Sequence, residues 1–118
     1  MKPRKPIKYK NKPWGYEIWI HNSKSYCGKI LVINKSKSSS FHYHKLKDET
    51  FYLKSGKILM EIIDINNNHK KFTMIEGDIL DILKGYKHKF TGIAEVSEIF
   101  EISTQHFDND SIQLTKES

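Results

Sequence analysis

From Trp14 onward, apolar and polar residues alternate in short runs instead of recurring at every third or fourth position. A period of two is the signature of a strand with one buried face. It predicts strands over 16–21, 28–34, 39–44, 49–54, 57–65, 70–74, 79–82, 88–91 and 95–103. The breakers between them are Ser36 to Ser38, Ser55-Gly56, Asn66 to Asn68, Glu76-Gly77 and Lys84-Gly85. Ser55-Gly56 between two apolar runs is a tight hairpin signal, and the three asparagines suit a turn that visits positive φ. The polar tail from Asp108 has room for one more edge strand, Ser111 to Leu114. No segment keeps a helical period over three turns, and there is no internal repeat. Short strands at this spacing predict an all-β sandwich or barrel.

Composition agrees. The 118 residues suffice for one domain with one core, which excludes a two-domain dinucleotide-binding enzyme or a full (β/α)8 barrel. There are 16 Ile, 7 Leu, 6 Phe and 6 Tyr against a single Ala, a bias toward sheet and away from helix.

Charge is uneven. Lys2, Arg4, Lys5, Lys8, Lys10 and Lys12 precede any acidic residue, so residues 1–13 read as a basic, proline-containing extended arm and residues 14–118 as the folded domain. Outside the arm, Lys/Arg and Asp/Glu balance, and the net charge of +6 belongs to the arm. The arm reads as a solvated tail, and nucleic acid is not expected as a partner because no common binding motif is present. Cys27 is the only cysteine, which excludes an internal disulfide and suits a reducing compartment. With no apolar N-terminal run and no segment long enough to cross a bilayer, the expectation is a cytoplasmic protein without membrane contact.

The candidate chemistry lies in the histidines. His42 and His44 are two residues apart in an expected strand, so their rings share a face. Glu49 follows after a short turn, and His88 opens a later strand. Three neutral imidazoles and one carboxylate suit a divalent transition metal (Mn, Fe, Zn, Co or Ni) and leave positions open for water or substrate.

These residues sit in a joint pattern. Residues 36–56 resemble the first cupin motif, G-x5-H-x-H-x3,4-E-x6-G, through His42, His44, Glu49 and Gly56, with Ser36 in place of the first glycine. Residues 77–92 resemble the second, G-x5-P-x-G-x2-H-x3-N, through Gly77, Gly85 and His88, with Leu83 and Gly92 replacing the proline and asparagine. The resemblance implies a single-domain cupin, a double-stranded β-helix or jelly-roll barrel, with a metal held by His42, His44, Glu49 and His88. The segment Lys12 to Glu17 (KPWGYE) is similar to the first strand of the cupin domain of type II mannose-6-phosphate isomerases. Phe100 to Ser103 and the acidic turn Asp108 to Ile112 are similar to the end of that family.

The resemblance implies a metal-dependent sugar-phosphate isomerase, the metal polarising a carbonyl while a base moves a proton between adjacent carbons. The base is not identified by sequence. Glu101 and Glu61 are the candidates, although outward salt bridges are the simpler expectation for both. Lys45, Lys47, Lys84, Lys87 and Lys89 lie near the ligand strands, and Lys45 and Lys87 are the candidate contacts to a small anionic sugar-type ligand. Trp14 and Trp19 are expected to pack in the core. An Fe(II)-dependent small-molecule dioxygenase and a non-catalytic sugar-binding or regulatory cupin remain as alternatives, because one fold serves many chemistries. Exposed sheet edges point to a homodimer.

Overall fold

The computed structural model describes residues 1–116. Its strands are β1 (Lys8–Lys12), β2 (Gly15–Asn22), β3 (Cys27–Asn34), β4 (His42–His44), β5 (Glu49–Ser55), β6 (Lys57–Ile63), β7 (His69–Ile75), β8 (Ile79–Ile82), β9 (Lys87–Gly92), β10 (Val96–Ser103) and β11 (Ser111–Gln113), with a short 3-10 turn at Asp108–Asp110. They form two antiparallel sheets, in the orders β1-β2-β3-β10-β5-β8 and β11-β4-β9-β6-β7. The architecture is all-β, as expected. No described helix is long and apolar enough to cross a membrane.

Each expected strand corresponds to an observed one, and the differences have local causes. The strand expected over 39–44 begins only at His42. The preceding serines hydrogen-bond through their side chains instead: Ser38 Oγ meets Thr91 Oγ1 at 2.8 Å, and Ser39 Oγ accepts from the Phe90 amide at 3.1 Å. The strand expected to reach residue 65 stops at Ile63, because the Asp64 carboxylate accepts the amides of Asn66 and Asn68, both at 2.9 Å. Asn67 in that turn has φ 64°, and Ser36, standing at the motif's glycine position, has φ 65°. Both pay the left-handed backbone cost that glycine avoids.

Part of the basic arm is itself a strand. β1 pairs with β2 from Lys8 opposite Trp19 to Lys12 opposite Gly15. Its alternation is lysine against tyrosine and asparagine, so it carries no apolar signal; the ladder with β2 supplies what the side chains do not announce.

Inward-facing residues change character along the barrel axis. In β3 the buried positions run Cys27, Lys29, Leu31, Ile33; in β5 Glu49, Phe51, Leu53; in β9 His88, Phe90, Gly92; in β10 Ser97, Ile99, Glu101, Ser103. Antiparallel pairing aligns these series, with Glu101 beside both Lys29 and Phe51, and Ser103 beside Cys27 and Glu49. One end of the interior is therefore apolar, centred on Ile33, Leu53, Ile58 and Ile99, all fully buried. The other end is polar. Trp14 closes the gap between the sheets, its ring edge-on to Phe90 at 5.0 Å.

Gly56 forms the hairpin between β5 and β6 at φ 91°, and a side chain there would collide with Ser97. Gly56→Ala is therefore expected to destabilise the fold by about 1–3 kcal/mol, read as a lower urea midpoint at unchanged m value. The control Gly77→Ala has similar φ but open space around it and is expected to cost less.

Candidate metal centre

β4 and β9 pair so that His42 lies directly opposite His88, and His44 follows His42 on the same face. The ring centroids are 4.2 Å (His42 to His88), 5.3 Å (His42 to His44) and 5.8 Å (His44 to His88) apart. Each histidine offers one nitrogen to a cluster whose atoms lie within 4.8 Å of one another. Glu49, first residue of β5 in the facing sheet, brings Oε1 to 3.5 Å from His44 Nε2 and 3.3 Å from His88 Nε2.

The backbone fixes the ring orientations. His42 Nδ1 donates to the Ser40 carbonyl at 2.9 Å, and His88 Nδ1 to the Tyr86 carbonyl at 3.0 Å. A proton on Nδ1 leaves Nε2 as a lone pair, the ligating tautomer. His88 Nε2, His44 Nδ1 and Glu49 Oε2 are buried without a hydrogen-bond partner. A buried imidazole lone pair facing a carboxylate oxygen is repulsive and unsatisfied, and a cation between them removes both costs. The cluster thus fits a divalent transition metal, by donor type and by geometry.

Burial and the neighbouring His88 push the His42 pKa down to about 3, so its ring is neutral. Burial alone would raise the Glu49 pKa, but the Lys47 ammonium outweighs it and holds the carboxyl well below its ordinary value. Burial works against charge on Lys47 too, yet Glu101 and Glu49 keep its ammonium above the usual lysine range.

Lys47 does not stand exposed at the mouth. It is 3% exposed, with Nζ 3.0 Å from Glu101 Oε2 and 3.8 Å from Glu49 Oε2. Glu101 turns inward instead of making an outward salt bridge, whereas Glu61 faces outward with Lys71 4.0 Å away. Both orientations follow from alternation, the inward Glu101 against expectation and the outward Glu61 in line with it: Glu101 shares its face with Ile99, and Glu61 alternates with the buried Met60. The same rule removes Lys45 and Lys87 from the cavity, since each adjoins a histidine that points in.

His42, His44 and Glu49 line a cavity of about 250 Å³, and His88 is fully buried behind it. Its lysines are Lys10, Lys12, Lys29 and Lys47. Trp14 and Trp19 form part of its wall as well as packing in the interior. Cys27 is buried and its thiol is pushed up by burial, so it is a poor nucleophile.

Asp110 is the residue that sequence reasoning leaves without a role. It is 4% exposed and accepts the amides of Lys45, Leu46 and Lys47 at 3.0, 2.9 and 3.2 Å, pinning the loop between His44 and Glu49. Its Oδ2 lies 3.8 Å from His44 Nδ1, the imidazole nitrogen on the side away from Glu49. The only signal was the acidic turn at 108–110.

No family model matches the sequence, and no curated protein matches it. Solved structures do. Oxalate decarboxylase from Bacillus subtilis at pH 4.6 superposes with a TM-score of 0.83 at 18% identity, over 91% of this chain and 30% of that one. The capsular polysaccharide assembling protein CapF from Staphylococcus aureus gives 0.82 at 17% identity, over 95% and 32%. The Lactobacillus farciminis oxalate decarboxylase formate complex gives 0.81 at 15% identity, over 91% and 33%. The chain spans about a third of the length of these proteins. At such identities the likeness establishes the fold, and the fold is that of a cupin, a single-domain jelly-roll barrel.

Two outcomes are expected. Asp110→Asn should weaken binding of Mn(II) or Co(II) about 10–100-fold in chelator competition, because the loop and the His44 ring lose their anchor. The metal-free protein should lose stability on acidification. Above about pH 6.5 His42 is neutral in both folded and unfolded chains. Below it only the unfolded chain takes up the proton, until pH falls to about 3 for His42 and about 4 for His106, the latter lowered by burial, Lys29 and Lys47. Urea midpoints of metal-free protein should therefore fall steadily from pH 6.5 to 4.

Proposed function

We propose that the protein is a metal-dependent enzyme of the aldose–ketose isomerase type, acting on a small anionic sugar in the manner of mannose-6-phosphate isomerases. His42, His44, His88 and Glu49 are its ligands. The observation that carries the reading is the placement of a buried Glu101–Lys47 pair in the same cavity as the imidazole cluster, with Lys47 also facing Glu49.

A divalent cation in this cluster supplies Lewis acidity toward a carbonyl and its neighbouring hydroxyl. Glu101 then takes the proton from one sugar carbon and returns it to the next. Lys47 holds that carboxylate in place, 3.0 Å away. Phe51, Phe90 and Leu31 line the cavity and keep water from the proton in transit. Mn(II) is the first metal to try, since one of the Bacillus subtilis oxalate decarboxylase structures is described by its Mn(II) centres.

A second copy of the chain is the proposed partner. Edge strands β1, β8, β7 and β11 are unpaired on one side, and the outer face of the six-stranded sheet exposes Tyr16, Ile20 and Ile102. A reducing, cytoplasmic setting suits the single free cysteine.

The test is interconversion of mannose 6-phosphate and fructose 6-phosphate by protein loaded in turn with Mn, Fe, Zn, Co and Ni. Turnover is expected. Glu101→Gln should lower kcat about 10²–10⁴-fold while metal content and KM change little. No turnover with any metal overturns the isomerase. Oxygen uptake with small-molecule substrates would favour the dioxygenase instead, and ligand binding without chemistry the non-catalytic cupin.

A further inference from the structure

A charged group buried in a barrel needs a counter-charge, and Lys29 has been given an unusual set of neighbours. It is 3% exposed and lines the cavity from β3. Nζ donates to His106 Nδ1 at 3.2 Å, and the His106 Nε2–H donates to Asp108 Oδ1 at 3.1 Å. The ammonium also sits 4.0 Å above the Trp19 ring. Among the described residues no carboxylate lies within 4 Å of it, unlike Lys47, which holds Glu101. Glu101, opposite Lys29 on β10, is in contact with Lys47 instead, so a neutral imidazole and an indole face are the immediate contacts of the Lys29 ammonium.

β1 adds to this. Lys8, Lys10 and Lys12 alternate onto one face of the strand. Lys8 lies over the other reach of Trp19, at 4.9 Å, and Lys10 and Lys12 line the cavity mouth. The lysines of the lining (Lys10, Lys12, Lys29, Lys47) are matched one for one by Glu17, Glu49, Glu101 and Asp108. The lysine and carboxylate charges of the lining thus cancel, and a divalent cation at the imidazoles would add two positive charges. A dianion restores balance.

We propose that Lys29, held by His106 and supported by Lys10, is an anion subsite at the mouth of the cavity that takes a phosphoryl group of the ligand. The ligand's remaining length reaches inward toward the histidines. The inference rests on the preceding reading only in treating this cavity as the substrate site. It places the anion contact on β3 and β1, away from Lys45 and Lys87. The phosphoryl group can belong to a monoester or to a diphosphate, and both present the same oxygens to Lys29.

The probes are inorganic phosphate and inorganic pyrophosphate, titrated calorimetrically into the full-length chain, metal-free and Mn-loaded. Phosphate is expected to bind the metal-free protein and to bind more tightly once Mn is present. Lys29→Met, which keeps the stem and removes the charge, should weaken binding at least tenfold in both forms; Lys10→Met should weaken it by a smaller factor, and Lys87→Met should leave it within twofold. Pyrophosphate binding no tighter than phosphate identifies a monoester. A tenfold gain for pyrophosphate that disappears in Lys10→Met identifies a diphosphate. Should Lys29→Met fold poorly by its melting curve, Lys29→Arg keeps the charge and should retain binding, while Lys10→Met carries the loss. Equal affinity in wild type, Lys29→Met and Lys10→Met overturns the subsite, as does no phosphate binding at all. Phosphate bound through Lys29 without sugar isomerisation leaves the subsite standing and removes the isomerase; isomerisation indifferent to Lys29→Met does the reverse.

Discussion

A carboxylate buried inside a β-barrel is the constraint around which this molecule is arranged. Glu49 is 4% exposed and faces two imidazole nitrogens and one ammonium. Left alone, such a charge is expelled or protonated, since transfer from water to an apolar interior costs several kcal/mol. Here it stays ionised because Lys47 is buried with it, Nζ 3.8 Å from Oε2. Lys47 in turn needs Glu101, and Glu101 lies beside Lys29 on the neighbouring strand. Deleting the charge of one member leaves the next with a weaker partner, so the polar end of the barrel is a coupled network.

The apolar end makes that arrangement tolerable. Ile33, Leu53, Ile58, Met60 and Ile99 are sealed from solvent, and the two sheets pack there as an ordinary core. The apolar core occupies one half of the barrel and the candidate metal site the other, and the same strands serve both. β5 shows this within three inward positions, Glu49 at the site, then Phe51 and Leu53 in the core. The site is therefore carried on rigid strands, which holds its donors within narrow geometric limits.

The last described segment locks the site from outside. Asp110 grips the loop that joins β4 to β5, and β11 pairs with β4, placing Ser111 opposite His44 and Gln113 opposite His42. His106 holds Lys29 from the same stretch of chain. Residues more than sixty positions from the histidine pair thus set how the histidines and the cavity cations are presented. Structural likeness to oxalate decarboxylases and to CapF establishes the barrel but not a reaction, and the chemistry has to be argued from this lining.

The sequence by itself determined the strands, the turns and the imidazole pair. Alternation has a fixed period of two, so His42 and His44 share a face wherever their strand lies, and the turn at Asn67 and the hairpin at Gly56 announce themselves through residues that accept positive φ. It missed β1, because a strand held by its backbone ladder need not show an apolar face. Which lysines and glutamates enter the cavity was decided only by the tertiary structure. Lys45 and Lys47 look alike along the chain, yet one is exposed and the other is 3% exposed against Glu101, fifty-four residues away. Buried charge is a property of pairs, and the pairing of β3, β10 and β5 that brings Lys29, Glu101 and Glu49 together is non-local, so no window of sequence contains it.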